Sequence, residues 1–217
     1  MNLRIFDDAE SLARAAERTI RQSGAKTIVV TGGSTPKRLY ELLGQSLLPD
    51  VTWILLDERY VPLTDPQSNA AMIERTLFAN GLPERWLRYR TELNDPAETA
   101  RVFEDEWKRL GITDIDLVLL GCGDDGHTAS LFPETAALAV EDRIATENWV
   151  PRLNQWRETL TFPVIRGAKL RMVLATGESK APVLEALRNG ADYPIARATQ
   201  DVDTWWFVDR AAAPVSG

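Results

Sequence analysis

The feature that most constrains this chain is an aliphatic run with no polar alternation, Leu117 to Leu120, which stops on a glycine. A strand with one wet face alternates, so a run that is apolar at every position belongs in a parallel sheet buried on both faces. Gly121, Gly123 and Gly126 then let the backbone turn tightly with no Cβ in the way. They deliver His127, the chain's only histidine, just past the strand's carboxyl end. Open α/β sheets place their ligands at that end.

The same arrangement recurs along the chain. Thr27 to Val30 is a β-branched strand that runs into Thr31-Gly32-Gly33-Ser34-Thr35-Pro36. Trp53 to Leu56 ends at Asp57-Glu58-Arg59, Leu170 to Ala175 ends at Thr176-Gly177-Glu178-Ser179-Lys180, and Thr204 to Val208 is the last strand. Ala9 to Arg21 is an amphipathic helix with Leu12, Ala15, Ala16 and Ile20 turned inward, ending near Gly24. Thr35 is expected to cap the next helix, with Pro36 at its first position, a stripe of Leu39, Leu42 and Leu43, and Gly44 closing it. Ala70 to Phe78, Asp95 to Leu110 and Pro182 to Leu187 are further helices, and Leu82 to Arg90 leads into a short strand. Arg143 to Asn154 reads as irregular, with Trp149 and Trp156 as rim packing, and Thr159 to Pro163 as a short strand.

Strands that alternate with helices require right-handed crossovers and a mainly parallel sheet covered on both faces. The expected fold class is therefore a three-layer α/β/α arrangement, in one domain spanning 1–217 because no break in composition divides the chain. In such a fold Gly33 to Thr35, Asp57 to Arg59, Gly121 to His127 and Gly177 to Lys180 share one sheet edge.

Composition excludes several partners. A net charge of −7 and an isoelectric point near 4.9 argue against a nucleic-acid surface, which needs clustered Lys and Arg. One cysteine leaves no internal disulfide framework and fits a reducing compartment. No apolar stretch is long enough to span a bilayer and no basic-then-apolar leader opens the chain, so a cytoplasmic protein with no membrane partner is expected. Nothing in the pattern specifies an oligomeric state.

Gly121, Gly123 and Gly126 spell a dinucleotide fingerprint, but Pro133 follows too soon for the long helix that motif needs. Asp124 and Asp125 would also set negative charge against a pyrophosphate. The Thr31 to Pro36 turn offers backbone N–H groups and hydroxyls to a phosphate, yet it lacks the Gly-Lys-Ser/Thr ending of a nucleotide-binding P-loop. There is no G-x-S-x-G elbow for a serine nucleophile, Cys122 reads as a packing group, and one histidine with no cysteine cluster disfavours a metal centre.

Gly-Cys-Gly-Asp-Asp-Gly-His-Thr-Ala-Ser-Leu-Phe-Pro, from Gly121 to Pro133, resembles the signature of the 6-phosphogluconolactonases. The related glucosamine-6-phosphate deaminases and isomerases share the Asp-Gly-His core and continue differently, so Thr128 to Pro133 discriminates. Thr-Gly-Gly-Ser-Thr-Pro, Asp-Glu-Arg-Tyr-Val-Pro with Ser68-Asn69, Arg157 to Pro163, and Gly-Glu-Ser-Lys resemble the family's other blocks in its order. Arg152-Leu153-Asn154-Gln155-Trp156 departs from it, since similar proteins often carry a proline-rich loop there.

The resemblance implies a Rossmann-like domain and hydrolysis of 6-phospho-D-glucono-1,5-lactone in the pentose phosphate pathway, with no cofactor and no required metal. A δ-lactone is an activated ester, so His127 can take a proton from water and return it to the leaving ring oxygen. Asp125 or Asp57 would orient the ring, and glycine-loop N–H groups, with Gly123 and Gly126, would meet the oxyanion. Gly32, Gly33, Ser34, Thr35, Arg59, Arg157 and Lys180 would hold the substrate and its phosphate. Two other readings use the same scaffold: a sugar-phosphate deaminase or isomerase, and a non-catalytic sugar-phosphate-binding regulator, for which no DNA-binding basic patch is visible.

Overall fold

Fully apolar runs pair with one another, because only neighbouring strands can satisfy their backbone groups away from water. The computed structural model describes residues 1–200 and 203–213. Its first strands are β1 (Asn2–Phe6), β2 (Thr27–Val30), β3 (Thr52–Leu55), β4 (Asp57–Arg59) and β5 (Trp86–Leu87). They are followed by β6 (Leu117–Gly121), β7 (Ala145–Val150), β8 (Gln155–Leu160), β9 (Leu170–Ala175) and β10 (Thr204–Asp209). The helices are α1 (Ala9–Ser23), α2 (Lys37–Gly44), α3 (Asn69–Thr76), α4 (Pro96–Arg109), α5 (Phe162–Gly167), α6 (Ala181–Arg188) and α7 (Pro194–Thr199).

Seven strands form one parallel sheet in the order β1-β10-β9-β6-β2-β3-β5, flanked by helices in the expected three-layer α/β/α fold. Val118, Leu119 and Leu120 are fully buried at its centre, with Ile28 to Val30 on one side and Met172 and Val173 on the other. From β2 the chain moves outward to β3 and β5, then returns to β6 on the opposite flank of β2. The carboxyl ends of β2 and β6 therefore border a topological switch point, the crevice where such sheets bind ligands.

Local chemistry sets the helix limits. Asp8 and Ser11 cap α1 reciprocally, with Ser11 N donating to Asp8 Oδ1 at 2.7 Å and Asp8 N to Ser11 Oγ at 3.1 Å. Gly24 ends it in the left-handed conformation, φ 68°. The expected threonine cap of α2 does not form. Pro36 is the residue before the helix, and the Thr35 hydroxyl instead lies 3.1 Å from Thr176 Oγ1, across the crevice floor.

Three segments differ from expectation. Arg143 to Asn154 is not irregular: it contains β7, which pairs antiparallel with β8, and β4 joins them as a three-stranded sheet ordered β4-β8-β7. The buried face of β7 includes Thr146 and Asn148, polar side chains that hid the strand's periodicity. Asp57 to Arg59, expected only as the point where the Trp53 strand ends, is itself a strand of this second sheet. Thr159 and Leu160 close β8, while Pro163 opens α5 and does not mark a strand edge. β1 and α7 were not anticipated.

Candidate active site

The loop after β6 is built to hold one side chain. Gly123 N–H donates to His127 O at 2.8 Å, and Gly126 N–H donates to Gly123 O at 3.0 Å. Asp125 Oδ1 lies 2.5 Å from His127 Nδ1 and also accepts from the His127 backbone N–H at 3.3 Å. The imidazole stacks on Phe132 with centroids 4.2 Å apart. Glycine at 123 is a steric requirement, because a Cβ there would fall 1.9 Å from His127 Nδ1. At Gly126 (φ 77°) a Cβ would collide with Tyr193 of the α7 approach at 2.2 Å.

Burial alone would push the Asp125 carboxyl up. The hydrogen bond and charge of His127, with the nearby Arg152 guanidinium, outweigh it and hold the group well below the usual carboxylate range. In the neutral ring, with Nδ1–H donating to an ionised Asp125, Nε2 carries the lone pair that a base needs.

The loop after β2 is the opposite kind of object. Among the described residues, the N–H groups of Gly32, Gly33, Ser34 and Thr35 donate to no protein acceptor. Gly33 takes φ 103°, and a Cβ at Gly32 would sit 1.9 Å from Asn69 Oδ1. Tyr40 anchors the loop from below, donating to Thr31 O at 2.6 Å and accepting from Thr31 N at 3.0 Å. N–H groups ahead of the first turn of a helix that have no protein acceptor are chemically suited to an anion.

Cations stand on the other walls. Lys180, in the turn between β9 and α6, donates to Asp124 Oδ1 at 2.6 Å. Arg59 on β4 donates to Gln67 O at 2.8 Å. Directly opposite it on β8 is Arg157, whose Nε is buried with no hydrogen-bond partner. Burial, together with the Arg59 charge, pushes the Arg157 guanidinium down to about 10. Asp57 and Glu58 beside them offset part of the charge that these two arginines bring together.

These groups line a cavity of about 340 Å³, within the lower range of ligand pockets, to which Gly32 to Thr35, Arg59, Gly123, His127 and Lys180 contribute. Larger hollows of about 460 and 610 Å³ lie between α2 and α3 and beside the Lys26 to Thr52 region, away from the histidine. Arg157 and Gly126 do not line the cavity and support it from behind.

The structure separates the two candidate carboxylates: Asp125 meets the imidazole, whereas Asp57 accepts from Ser130 Oγ at 2.9 Å. Gly123 and Gly126 have their N–H groups committed inside the loop, so those two are not oxyanion donors. Cys122 is buried and its thiol is pushed up to about 12 by burial, which removes it as a nucleophile. Among the described residues no three His, Cys, Asp or Glu side chains converge as metal ligands do, and no helix is long and apolar enough to cross a membrane.

Several contributors lay outside the sequence reading. Ser130, Asn148 and Thr159 tie the segment after His127 to the small sheet: Asn148 Nδ2 donates to Ser130 O at 2.9 Å and Ser130 N to Thr159 Oγ1 at 3.3 Å. Asn69 donates to Asp57 O at 2.9 Å. Asn69 and Ser68 were visible only as a block of the resemblance, Ser130 as part of the signature and Thr159 within the Arg157 to Pro163 block; Arg152 was named only in the segment that departs from the family, with no role attached.

A family model described as glucosamine-6-phosphate isomerases/6-phosphogluconolactonase matches residues 6–206. A 6-phosphogluconolactonase of Synechocystis is 37% identical over 214 residues, covering 90% of this chain and 86% of its own. One from Chlamydia pneumoniae is 33% identical over 197 residues, covering 86% and 76%. The solved structure of 6-phosphogluconolactonase from Trypanosoma cruzi superposes with a TM-score of 0.86 at 26% identity, covering 98% of this chain and 95% of that one. That of Thermotoga maritima superposes at 0.85 with 27% identity, covering 96% and 99%.

Proposed function

The chain belongs to the glucosamine-6-phosphate isomerase/6-phosphogluconolactonase family, and from that premise we propose that it hydrolyses 6-phospho-D-glucono-1,5-lactone to 6-phospho-D-gluconate, in the oxidative branch of the pentose phosphate pathway. The observation that carries this reading is an ionised Asp125 bonded to the chain's only histidine, in a cavity whose opposite wall is the unspent glycine loop.

In this mechanism the phosphate docks on the N–H groups of Gly32 to Thr35, with Arg59 and Lys180 supplying charge. Lys180 exchanges Asp124, a solvated carboxylate, for the phosphate when substrate arrives. Arg157 adds field from behind Arg59. His127 Nε2 takes a proton from water as the water attacks the lactone carbonyl. Collapse of the tetrahedral adduct breaks the bond to the ring oxygen, and the imidazolium returns the proton there. Asp125 fixes the tautomer of the neutral ring and stabilises the transient imidazolium, while Asp57 positions the Ser130 segment instead of the ring. Gly123 and Gly126 give the histidine and α7 their room.

The same reading takes residues 1–217 as one domain, places the protein in the cytoplasm, and assigns it a sugar-phosphate lactone, not nucleic acid or a membrane, as partner. The test is hydrolysis of freshly prepared 6-phosphogluconolactone, followed against its spontaneous rate. Acceleration by purified protein is expected, with no ammonia released from glucosamine-6-phosphate. Ammonia release without lactone hydrolysis would overturn the assignment in favour of a deaminase.

A further inference from the structure

The hairpin joining β7 to β8 ends in a residue that the reaction above does not use. Its strands pair in register from Ala145 opposite Leu160 to Val150 opposite Gln155, and Trp149 and Trp156 pack across it with centroids 5.4 Å apart. A tight turn, Pro151–Leu153, closes the hairpin, with Asn154 left-handed at φ 48° and its N–H on Pro151 O at 3.1 Å. Arg152 projects from that turn. Its guanidinium forms an ion pair with Asp125 Oδ2, and its Cζ lies 5.0 Å from the centroid of Phe132, the ring on which His127 stacks.

Each oxygen of Asp125 thus has its own partner: Oδ1 hydrogen-bonds His127 Nδ1, and Oδ2, buried and without a hydrogen-bond donor, is met by the charge of Arg152 in an ion pair. A carboxylate anchored through one oxygen can rotate and swap its atoms, and the ring it holds then loses a defined orientation. An ion pair on the second oxygen restrains that rotation without needing a hydrogen bond of its own. We propose that Arg152 is a positioning residue, clamping Asp125 through the oxygen that His127 leaves free, so that the β7–β8 hairpin becomes part of the proton-transfer apparatus. The inference rests on the reading of His127 as the base.

The clamp also alters the charge felt by the imidazole. The loop of His127 carries Asp125, which bonds its ring, the buried Cys122 thiol, and Asp124, which is paired to Lys180 of the turn after β9. The small sheet contributes Asp57, Arg59 and Arg157, the hairpin Arg152, and the α7 approach Tyr193 against Gly126. Arg152 is the cation that draws directly on the carboxylate serving the ring, so removing it leaves more negative charge to favour imidazolium.

Because the chain has one histidine, its imidazole resonances can be followed alone in long-range ¹H–¹⁵N spectra of the labelled protein. In Arg152→Ala the midpoint of the His127 titration should rise by roughly half to one pH unit, and the fixed tautomer should give way to a mixture. kcat at neutral pH should fall by about threefold to tenfold with KM changed less than about twofold, and Arg152→Lys should lie nearer the wild type in both readouts. An unmoved titration and tautomer in Arg152→Ala would sink the clamp whatever the activity. A raised KM with unchanged imidazole signals would show that Arg152 meets substrate instead. If wild-type protein hydrolyses no lactone while the imidazole shifts as expected, the functional reading fails and the clamp stands.

Discussion

Two glycine loops stand side by side at the carboxyl ends of β2 and β6, and they spend their glycines differently. In the loop after β6, Gly123 makes space for an imidazole, and its N–H and that of Gly126 are consumed within the loop. In the loop after β2, the N–H groups of Gly32 to Thr35 are left without a protein acceptor among the described residues. The first loop is rigid by its own bonds and presents a side chain. The second lines the cavity and leaves its backbone N–H groups open. Glycine content alone does not distinguish such loops; where the N–H groups go does.

The largest effects should come from disturbing the loop that holds the side chain. His127→Asn should keep the fold and lower kcat by about two to four orders of magnitude, the usual worth of a positioned proton-transfer group. Gly123→Ala should fall in the same range, because its Cβ and the imidazole cannot both occupy their places. Both losses should be similar for phosphorylated and unphosphorylated gluconolactone, measured as kcat/KM. A folded His127→Asn protein that retained most of its kcat would move the base to a carboxylate, Asp57 being the next candidate.

Disturbing the receptor side should give a smaller and more selective loss. Arg59→Ala or Lys180→Ala should cost about 1.5 to 3 kcal/mol in kcat/KM for the phosphorylated lactone, the worth of a charged hydrogen bond, and far less for the unphosphorylated one. Equal losses on both substrates would erase the division of labour between the two loops.

Much of this division was legible in the amino-acid order, and the rest was not for definable reasons. The strands Thr27–Val30 and Leu170–Ala175 were read to the residue, because their apolar stretches Ile28 to Val30 and Met172 to Ala175 run without polar alternation into glycine-containing turns. β7 was missed because its inward positions include two polar residues: Asn148, which donates to Ser130 O and Thr135 Oγ1, and Thr146, whose hydroxyl donates to Glu147 O. β1 escaped notice as a short strand at the sheet edge, and α7 as a helix of six residues. The loops of the site were visible from their glycines. Which carboxylate meets His127 was not, since it depends on Ser130 drawing Asp57 away, and Arg152 reaches Asp125 only through the hairpin that periodicity failed to reveal.

The contrast also predicts where acid should act. Thr31 to Thr35 contains no ionisable side chain, whereas Asp125 is held below its ordinary value of 3.8. A carboxyl depressed on folding contributes stability above its unfolded value, and that contribution is lost as pH falls through the folded one. Asp125→Asn should therefore be less stable than wild type at pH 6 by on the order of 1 kcal/mol in chemical denaturation, with the gap closing below about pH 4. A gap that stayed constant to pH 2 would mean that packing, not the charge shared with His127 and Arg152, accounts for it.

The smallest effect expected is none. The donors nearest the imidazole are already committed: Nδ1 to Asp125, Asp57 to Ser130, and Cys122 to a buried, protonated thiol. A divalent ion at His127 would have Nε2 alone as an uncommitted ligand and would have to displace the interactions that make this loop rigid. Activity should survive exhaustive chelation followed by gel filtration, with kcat/KM unchanged on both lactones. If activity disappeared and a single divalent ion restored it, the loop after β6 would be a metal-binding loop and not the holder of a free base, and the distinction between the two loops would have to be redrawn around that ion.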